Sequence, residues 1–442
     1  MKWLVSLIIQ MVAFSLIFGS NIPHSTQLGL VILSLVANFW MAELLPLSVT
    51  ALLVPVLAAG LGVMDFKTAL LSFAHPIIFL FLGGFALAAA LHEHKIDHYL
   101  AHWIIQRAKN GLVMCLVLFS LTGFMSMWIS NTATAVMMLP IALGLVGKIN
   151  YEQHKNIYAF LLLGVAYSAN IGGMATVVGS PPNAIAASAL NLSFNDWLSI
   201  AMPISLLLLP IMWGILYGLC KPDLSLFNQS TSSLDFHWTR QKVQVISIFL
   251  ITACAWIFGG FIQKHTGKIA SYDSWVAVIA IIVLHGSKSL SWKTFEKQTQ
   301  WGILLLFGGG LALSAILSET QANLFLANKI AYLADGIGLF WLLLLILMFV
   351  IFMTEISSNT ALAALMIPTF MGLADVLGFN QTLIVCAIAI GASCAFMLPV
   401  ATPPNAVVYS SGYIPQNRMM KIGFTLNVCF AVLIVLWLTW LI

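Results

Sequence analysis

Ser130-Asn131-Thr132 and, further along the chain, Ser180-Pro181-Pro182-Asn183 are two polar motifs that occur a second time in the same order. The second pair reads Ser358-Asn359-Thr360 and Thr402-Pro403-Pro404-Asn405, at offsets of 228 (130 to 358) and 222 (181 to 403) along the sequence. Both pairs interrupt long apolar runs, where polar groups and helix breaks are costly because lipid offers no hydrogen bonds. Matching breaks in two halves of a membrane protein indicate a substrate site near the middle of the bilayer. The motifs therefore predict a transporter.

The composition is that of an all-α polytopic membrane protein. Of 442 residues, 61% are hydrophobic and 7% are charged, the mean hydropathy is +1.01, and apolar runs of spanning length recur throughout. A net charge of +4 is too small to indicate nucleic-acid binding. The six cysteines lie in or beside apolar segments without CxxC spacing, so we interpret them as packing residues. No Walker A motif is present, so ATP-driven transport is not expected.

A third stretch supports an internal repeat. Residues 81–94 align with residues 307–320 at a constant offset, and eight of the fourteen aligned positions are identical. We expect both copies to contribute to one shared site, because the polar residues persist in both; in the alternative, only one copy functions. The predicted organisation is an N-terminal transmembrane helix, a first inverted repeat, a cytoplasmic connector and a second inverted repeat, at 1–25, 26–220, 221–242 and 243–442. A cleavable signal peptide is the alternative for the N-terminal helix.

Two apolar runs, 111–147 and 336–374, predict re-entrant hairpins. The first contains no charged residue and the second contains only Glu355. The first run exceeds one span of about 20 residues but is too short for two spans and a turn. The flanking charges predict that the first hairpin enters from the cytoplasmic side and the second from the outside, since basic residues favour the cytoplasm. These flanking residues are Arg107, Lys109, Lys148 and Lys155 for the first, and Lys329, Asp335 and Asp375 for the second.

The remaining apolar segments predict eleven crossings of the membrane. An odd number of crossings places the two termini on opposite sides, and the basic residues predict that the N-terminus is cytoplasmic and the C-terminus outside, in a multi-pass protein of the inner (plasma) membrane. The predicted crossings are near 3–20, 26–42, 46–63, 74–91, 157–176, 198–219, 243–262, 272–285, 301–318, 380–398 and 420–440.

The Ser-Asn-Thr motifs suit an anion. Ser, Asn and Thr are favoured helix N-caps, and each triplet precedes a helical run, 133–147 in the first copy and 361–371 in the second. A helix that begins in the middle of the membrane directs its free N–H groups and its positive dipole end at the bound group. Carboxylate oxygens fit such a site.

The Pro-Pro-Asn motifs suit a small cation. Proline has no N–H and disfavours a helix at the residue before it, which leaves the carbonyls of Gly179 and Ala401 free to bind a hard cation. Side-chain oxygens would complete a shell typical of an alkali metal, from Ser130, Asn131, Ser358 and Asn359. Neither hairpin and neither Pro-Pro-Asn loop contains Lys or Arg, so a buried dianion would be uncompensated unless cations bind with it. In the alternative interpretation, these polar residues only hold helices together.

The double motif resembles the divalent anion/sodium symporter family, which includes bacterial dicarboxylate importers and mammalian sodium-coupled dicarboxylate, citrate and sulfate cotransporters. The resemblance extends over nearly the whole chain. It implies an elevator-type transporter, with a scaffold domain and a moving transport domain in each protomer of a homodimer. It also implies that sodium is the coupling ion, without any other cofactor, and that the partners are a small dianionic carboxylate, sodium and the surrounding lipid.

The resemblance also implies particular site residues. One sodium site would use Ser126, Ser130, Asn131 and Gly179, and the other would use Thr354, Ser358, Asn359 and Ala401. The substrate-binding residues would be Asn131, Thr132, Ser180, Pro181, Asn359, Thr360, Thr402 and Pro403, with the prolines, Asn183 and Asn405 shaping the loops.

Our interpretation is a sodium-coupled importer of C4-dicarboxylates such as succinate, malate and fumarate. The alternatives are a citrate or sulfate symporter, or a sodium-independent dicarboxylate exchanger. An enzyme is not expected, because neither hairpin contains a catalytic pair. Glu355 has Met127 as its counterpart in the first copy, and it has two interpretations. It is either a proton-coupling carboxylate, which would make the carrier proton-driven, or a structural residue paired near the hairpin, which we favour.

Overall fold

The computed structural model describes residues 2–96, 99, 110–147, 149–226, 238–334 and 336–441, and they are almost entirely helical. Helix α1 (Lys2–Phe18) comes first. The helices of the first predicted repeat are α2 (His24–Ala42), α3 (Leu47–Gly60), α4 (Phe66–Leu71), α5 (Pro76–Glu93), α6 (Gly111–Ser126), α7 (Asn131–Val146), α8 (Lys155–Met174), α9 (Pro181–Ala189) and α10 (Phe194–Cys220).

The second predicted repeat contains a matching series of helices. They are α11 (Arg240–Ile257), α12 (Gly259–Thr266), α13 (Tyr272–Gly286), α14 (Trp292–Gln298), α15 (Trp301–Glu319), α16 (Ala322–Leu333), α17 (Leu339–Thr354), α18 (Asn359–Leu377), α19 (Gln381–Ala392), α20 (Pro403–Tyr409) and α21 (Gln416–Leu441). Much of the predicted connector, 227–237, lies outside the described residues, as do Arg107, Lys109, Lys148 and Asp335, which were used to orient the hairpins.

Fewer continuous helices reach spanning length than the eleven predicted crossings. In the described part of the chain, seven segments are long and apolar enough to cross a membrane, or eight if α11 and α12, bent by 77° at their junction, form one span. Four predicted crossings correspond to the shorter helices α1, α3, α13 and α19. The prediction of a helix over 380–398 is wrong beyond Ala392, where the chain leaves the helix. The physical reason is that side chains of Glu355 and Asn405 bind backbone groups between residues 395 and 398.

The helix pair at each predicted hairpin is present. A short break separates α6 from α7, and another of the same length separates α17 from α18. The side chain of Ser130 caps α7 by accepting a hydrogen bond from the amide of Ala133 (3.3 Å), and Ser358 caps α18 through the amide of Ala361 (3.4 Å). Both motifs therefore start helices as their N-cap preferences predict. The entry of the two hairpins from opposite faces stays a prediction.

The two halves pack against each other reciprocally through α5 and α15. A Cβ atom added to Gly83 on α5 would lie 2.6 Å from Cβ of Ala277 on α13, and one added to Gly309 on α15 would lie 2.5 Å from Cβ of Ala51 on α3. The two glycines are equivalent positions of the aligned stretches 81–94 and 307–320, and the same offset relates Ala51 to Ala277. Equivalent helices thus exchange equivalent contacts, which supports the two-repeat prediction and a pseudo-twofold relation.

An aromatic pair lies at the centre of this packing. Phe81 and Phe307 are the first residues of the two aligned stretches, and their ring centroids lie 4.9 Å apart with the rings nearly perpendicular. Both side chains are almost fully buried. A residue that contacts its own repeat counterpart would lie on or near a pseudo-twofold axis, so this edge-to-face pair agrees with the predicted inverted repeat.

The close approach at the glycines predicts a specific stability defect. Gly83→Ala and Gly309→Ala should each destabilise the protein by about 1–3 kcal/mol, because the added methyl group overlaps a neighbouring helix. We expect the two losses to be similar, since the contacts are reciprocal, and Ala277→Gly should partly rescue Gly83→Ala. Thermal unfolding of the purified protein in detergent measures these effects.

Gly214→Ala is the matched control, because a Cβ atom there would meet nothing within 4 Å. Its unfolding temperature should stay the same or rise, since alanine favours a helix over glycine. Equal changes of the unfolding temperature in Gly83→Ala and Gly214→Ala would contradict the close packing of α5 against α13.

Candidate functional site

The two pairs of motifs line one cavity of about 590 Å³. All eight predicted substrate-binding residues contribute to its wall, namely Asn131, Thr132, Ser180, Pro181, Asn359, Thr360, Thr402 and Pro403. Four of the predicted sodium ligands line it as well, namely Ser130, Gly179, Ser358 and Ala401. Residues from opposite halves of the sequence are therefore brought together in pairs, one from each repeat.

Ser126 and Thr354, the remaining predicted sodium ligands, lie behind the cavity wall. Both side chains are fully buried. The hydroxyl group of Ser126 donates to Oδ1 of Asn131 (2.6 Å), and the hydroxyl group of Thr354 donates to Oδ1 of Asn359 (2.5 Å). In each half a hydroxyl oxygen at the end of the first hairpin helix and an amide oxygen at the start of the second thus lie side by side. Such oxygens are the ligands that alkali cations accept.

Gly179 lies close to backbone carbonyl oxygens of Gly173 and Ser126. A Cβ atom at this position would lie 2.6 Å from the carbonyl oxygen of Gly173 and 3.1 Å from that of Ser126. A side chain would therefore displace the backbone from these carbonyl groups. The requirement for glycine follows from this close approach and not from a left-handed backbone.

Two asparagine side chains stabilise the non-helical backbone before each Pro-Pro-Asn motif by donating hydrogen bonds to its carbonyl oxygens. The Nδ2 atom of Asn183 donates to the carbonyl oxygens of Gly173 (2.8 Å), Met174 (3.2 Å) and Thr176 (2.7 Å). In the second half, Nδ2 of Asn405 donates to the carbonyl oxygens of Ala395 (2.9 Å) and Leu398 (3.1 Å). Both asparagine residues are fully buried. They satisfy carbonyl groups that a continuous helix would otherwise satisfy.

Polar contacts also join the two halves at the cavity. Asn170 on α8 donates through Nδ2 to Oγ1 of Thr402 (3.1 Å) and to Oδ1 of Asn405 (3.3 Å). The hydroxyl group of Tyr167 donates to the carbonyl oxygen of Phe396 (2.7 Å). Asn170 also lines the cavity, although it is not among the predicted site residues. A polar residue in the middle of an apolar helix was the signal that could have identified it.

The cavity wall has a single ionisable side chain among the residues that the structure describes. This is Glu43, in the turn between α2 and α3, and it is exposed. Gln300, just before α15, lies on the same wall. Neither residue is among the predicted site residues, because both belong to short loops without a motif. The described wall includes no Lys, Arg or His, so its fixed charge is negative.

Glu355 does not line this cavity but lies behind the second hairpin. It is 3% exposed. Its Oε1 atom accepts hydrogen bonds from the amides of Phe396 (2.8 Å) and Met397 (2.9 Å) and from Nδ2 of Asn427 (2.7 Å), and its Oε2 atom accepts one from the amide of Leu398 (2.9 Å). These contacts support the structural interpretation of this residue.

A polytopic helical fold with two pairs of helix-breaking motifs around one cavity lined by polar residues defines a membrane transporter. The family described as citrate transporters matches residues 37–385. The chain belongs to this family, and its resemblance to the divalent anion/sodium symporters is confirmed. It is a multi-pass transporter and not an enzyme.

Curated relatives agree with this assignment. A protein of Haemophilus influenzae described as an uncharacterized transporter is 48% identical over 415 residues, which cover 92% of this chain and 90% of the relative. The sodium-dependent dicarboxylate transporter SdcS of Staphylococcus saprophyticus is 33% identical over 434 residues, which cover 91% of this chain and 83% of SdcS.

Among solved structures, the YdaH transporter of Alcanivorax borkumensis is similar in fold. The TM-score is 0.59 at 16% sequence identity, and the match covers 95% of this chain and 99% of YdaH. The MtrF protein of Neisseria gonorrhoeae matches with a TM-score of 0.57 at 12% identity, covering 95% of both chains. At these identities the likeness concerns the fold alone.

The hydrogen bonds of Asn183 and Asn405 to backbone carbonyl oxygens predict a loss of stability that does not depend on any substrate. Asn183→Asp and Asn405→Asp each replace an N–H donor by an anionic acceptor that faces buried carbonyl oxygens. The expected loss exceeds about 2 kcal/mol, because several buried acceptors lose their partner. Thermal unfolding in detergent measures the loss.

Asn191→Asp provides the control, because this residue is exposed and has a left-handed backbone (φ 53°) that Asp also tolerates. Its unfolding temperature should not change. An unchanged unfolding temperature in both Asn183→Asp and Asn405→Asp would show that other contacts stabilise the non-helical backbone at these two positions.

Proposed function

We propose that the protein imports C4-dicarboxylates such as succinate, malate and fumarate by co-transport with sodium. The observation that carries this proposal is the cavity itself, because two helix starts suited to an anion and two sets of oxygens suited to a cation converge there. The 33% identity to a sodium-dependent dicarboxylate transporter supports the same substrate class.

The Ser-Asn-Thr motifs would bind the anion. Asn131 and Thr132 begin α7, while Asn359 and Thr360 begin α18, and all four line the cavity. The first amides of a helix have no partner within the helix and carry its positive dipole end. Two such helix starts match two carboxylates at the ends of a short dicarboxylate.

The Pro-Pro-Asn loops would bind cations. Helices α9 and α20 begin with two prolines, at Pro181 and Pro403, and these residues remove amide donors that would attract an anion. The carbonyl groups before them remain available. We therefore assign one sodium ion to Ser126, Ser130, Asn131 and Gly179, and the other to Thr354, Ser358, Asn359 and Ala401.

The charge of the cavity supports coupling. Glu43 adds a negative charge to the wall, and no described wall residue is basic. A dianion in this cavity would therefore meet only partial positive charges from helix starts, and its burial would cost many kcal/mol without counter-ions. Two bound sodium ions would neutralise the substrate. The negative wall therefore favours symport over sodium-independent exchange, and it favours a dianion over trianionic citrate.

The site's place between structural elements supports an elevator motion. The cavity wall combines the hairpins and Pro-Pro-Asn loops with Glu43, Leu47, Gln300 and Ile303, which belong to α2, α3, α15 and their flanking loops. We propose that the hairpins, with α8, α9, α19 and α20, form the transport domain of each protomer in a homodimer. Helices α2, α3, α5, α13 and α15 would form the scaffold. Since Glu43 and Gln300 lie in loops predicted to be cytoplasmic, the cavity would face inward in this conformation.

Uptake into proteoliposomes tests the proposal. Labelled succinate should accumulate only with an inward sodium gradient, and citrate, sulfate and a monocarboxylate should compete weakly. Asn131→Ala and Asn359→Ala should each reduce uptake at least about tenfold, because each removes an amide group from both the anion and the cation site. Asn328→Ala, at an exposed position of α16, should leave uptake unchanged.

Uptake that ignores sodium but requires internal dicarboxylate would overturn symport and indicate an exchanger. Strong competition by citrate or by sulfate would instead change the substrate assignment to that anion. Sodium-dependent uptake that survives both asparagine substitutions would disprove the assigned site.

A further inference from the structure

The two halves connect the hairpin to the following loop by different chemistry. In the first half, the hydroxyl group of Thr176 donates to the carbonyl oxygen of Met127 (2.5 Å). By the offset of the Pro-Pro-Asn motifs, Leu398 is the equivalent of Thr176, and by the offset of the Ser-Asn-Thr motifs, Glu355 is the equivalent of Met127. There the amide of Leu398 donates to the carboxylate of Glu355 (2.9 Å). The junction is thus neutral in the first half and contains a carboxylate in the second.

The surroundings of Glu355 match an ionised carboxylate. Its two oxygens accept four hydrogen bonds, three from backbone amides and one from the side chain of Asn427. All four partners are N–H donors, so none can accept a proton from a neutral carboxyl group. Hydrogen bonds to a charged acceptor are stronger than neutral ones. The second half therefore has a buried carboxylate, surrounded by N–H donors, where the first half has Met127.

Contacts run from this carboxylate to the cavity on two sides. On one side, Glu355 binds the amide of Leu398, and the carbonyl oxygen of Leu398 accepts from Asn405. The amide of Asn405 in turn donates to Oγ1 of Thr402 (3.3 Å), which lines the cavity. On the other side, the adjacent residue Thr354 binds Oδ1 of Asn359 and also the carbonyl oxygen of Ala392 (3.1 Å).

We propose that Glu355 is a positioning residue that makes the second cation site bind sodium more tightly than the first. This proposal rests on the proposed function for the location of the two cation sites. The charge attracts a cation at the neighbouring ligands Thr354 and Asn359, and the four hydrogen bonds hold the loop that carries Ala401 and Thr402. The first site has equivalent ligands but no equivalent charge, so the two sites differ in affinity.

Direct binding of ²²Na⁺ to the purified full-length protein tests this inference without any substrate. The wild-type isotherm should show two components that differ at least tenfold in affinity. Thr354→Ala should remove the tighter component, and Ser126→Ala should remove the weaker one. Two equal components, or loss of the weaker one in Thr354→Ala, would overturn the inference even if no Glu355 variant can be purified.

Glu355→Gln then tests the charge itself. This variant keeps the size of the side chain but removes the charge, so the tighter component should weaken at least tenfold while the weaker one changes less than threefold. Glu355→Asp, which retains the charge, should restore part of the affinity. A purely structural role predicts a lower unfolding temperature with unchanged sodium affinity, and this result would overturn the proposal.

The matched control is Met127→Gln, at the equivalent position of the first half, which should leave the tighter component unchanged. Weakening of that component by Met127→Gln would contradict a charge effect specific to the second half.

The two proposals fail in different ways. Asymmetric sodium binding without succinate uptake would overturn the proposed substrate and support this inference. Sodium-driven succinate uptake with two sodium sites of equal affinity would support the proposed substrate and overturn this inference. Absence of any sodium binding would overturn both.

Discussion

The satisfaction of backbone carbonyl groups by two buried asparagine side chains is the interaction on which the site depends. Lipid offers no hydrogen bonds, so a helix can break within a membrane only where other groups replace its internal bonds. Asn183 and Asn405 supply such groups, each to carbonyls at the end of the preceding helix or just beyond it. Because these breaks are held open, the hairpin tips and the Pro-Pro-Asn loops can meet at one cavity. Without the two amides, the segments that follow α8 and α19 would have unsatisfied carbonyl groups in an apolar environment.

The same breaks in the helices place partial positive charges, on amide N–H groups, and partial negative charges, on carbonyl oxygens, at different positions of the site. Helices α7 and α18 begin with serine caps and present free amides, whereas α9 and α20 begin with two prolines and present fewer. Amides attract anions and the carbonyl groups before the prolines attract cations. A cavity without a described basic side chain can therefore bind both kinds of ion. Because partial charges on the backbone would attract both ions, the specificity of the site depends on backbone geometry more than on side-chain charge.

The sequence predicted the cavity better than it predicted the helices around it. Polar residues repeated within apolar runs have few roles available in a membrane, so the motif residues were identifiable from the pattern alone, and they do line the cavity. The end of α19 at Ala392 was not predictable, because it depends on Glu355 and Asn405, which are distant or later in the chain. Glu43 and Gln300 reach the cavity from loops without any pattern. Asn170 was a visible signal that was overlooked in an otherwise apolar helix.

Under the proposed function, the charges also determine the order in which the ions bind. Before any ion binds, Glu43 on the cavity wall and Glu355 behind the second hairpin make the site unfavourable for a dianion and favourable for a cation. A sodium ion would therefore bind first, at the ligands nearest Glu355, and each cation that binds would lower the cost of burying the two carboxylates. On release, loss of the weaker sodium ion would leave the dianion only partly neutralised, so the dianion would leave with it and the sodium ion nearest Glu355 would leave last. A duplicated site with one added charge would in this way convert two equivalent cation sites into an ordered pair.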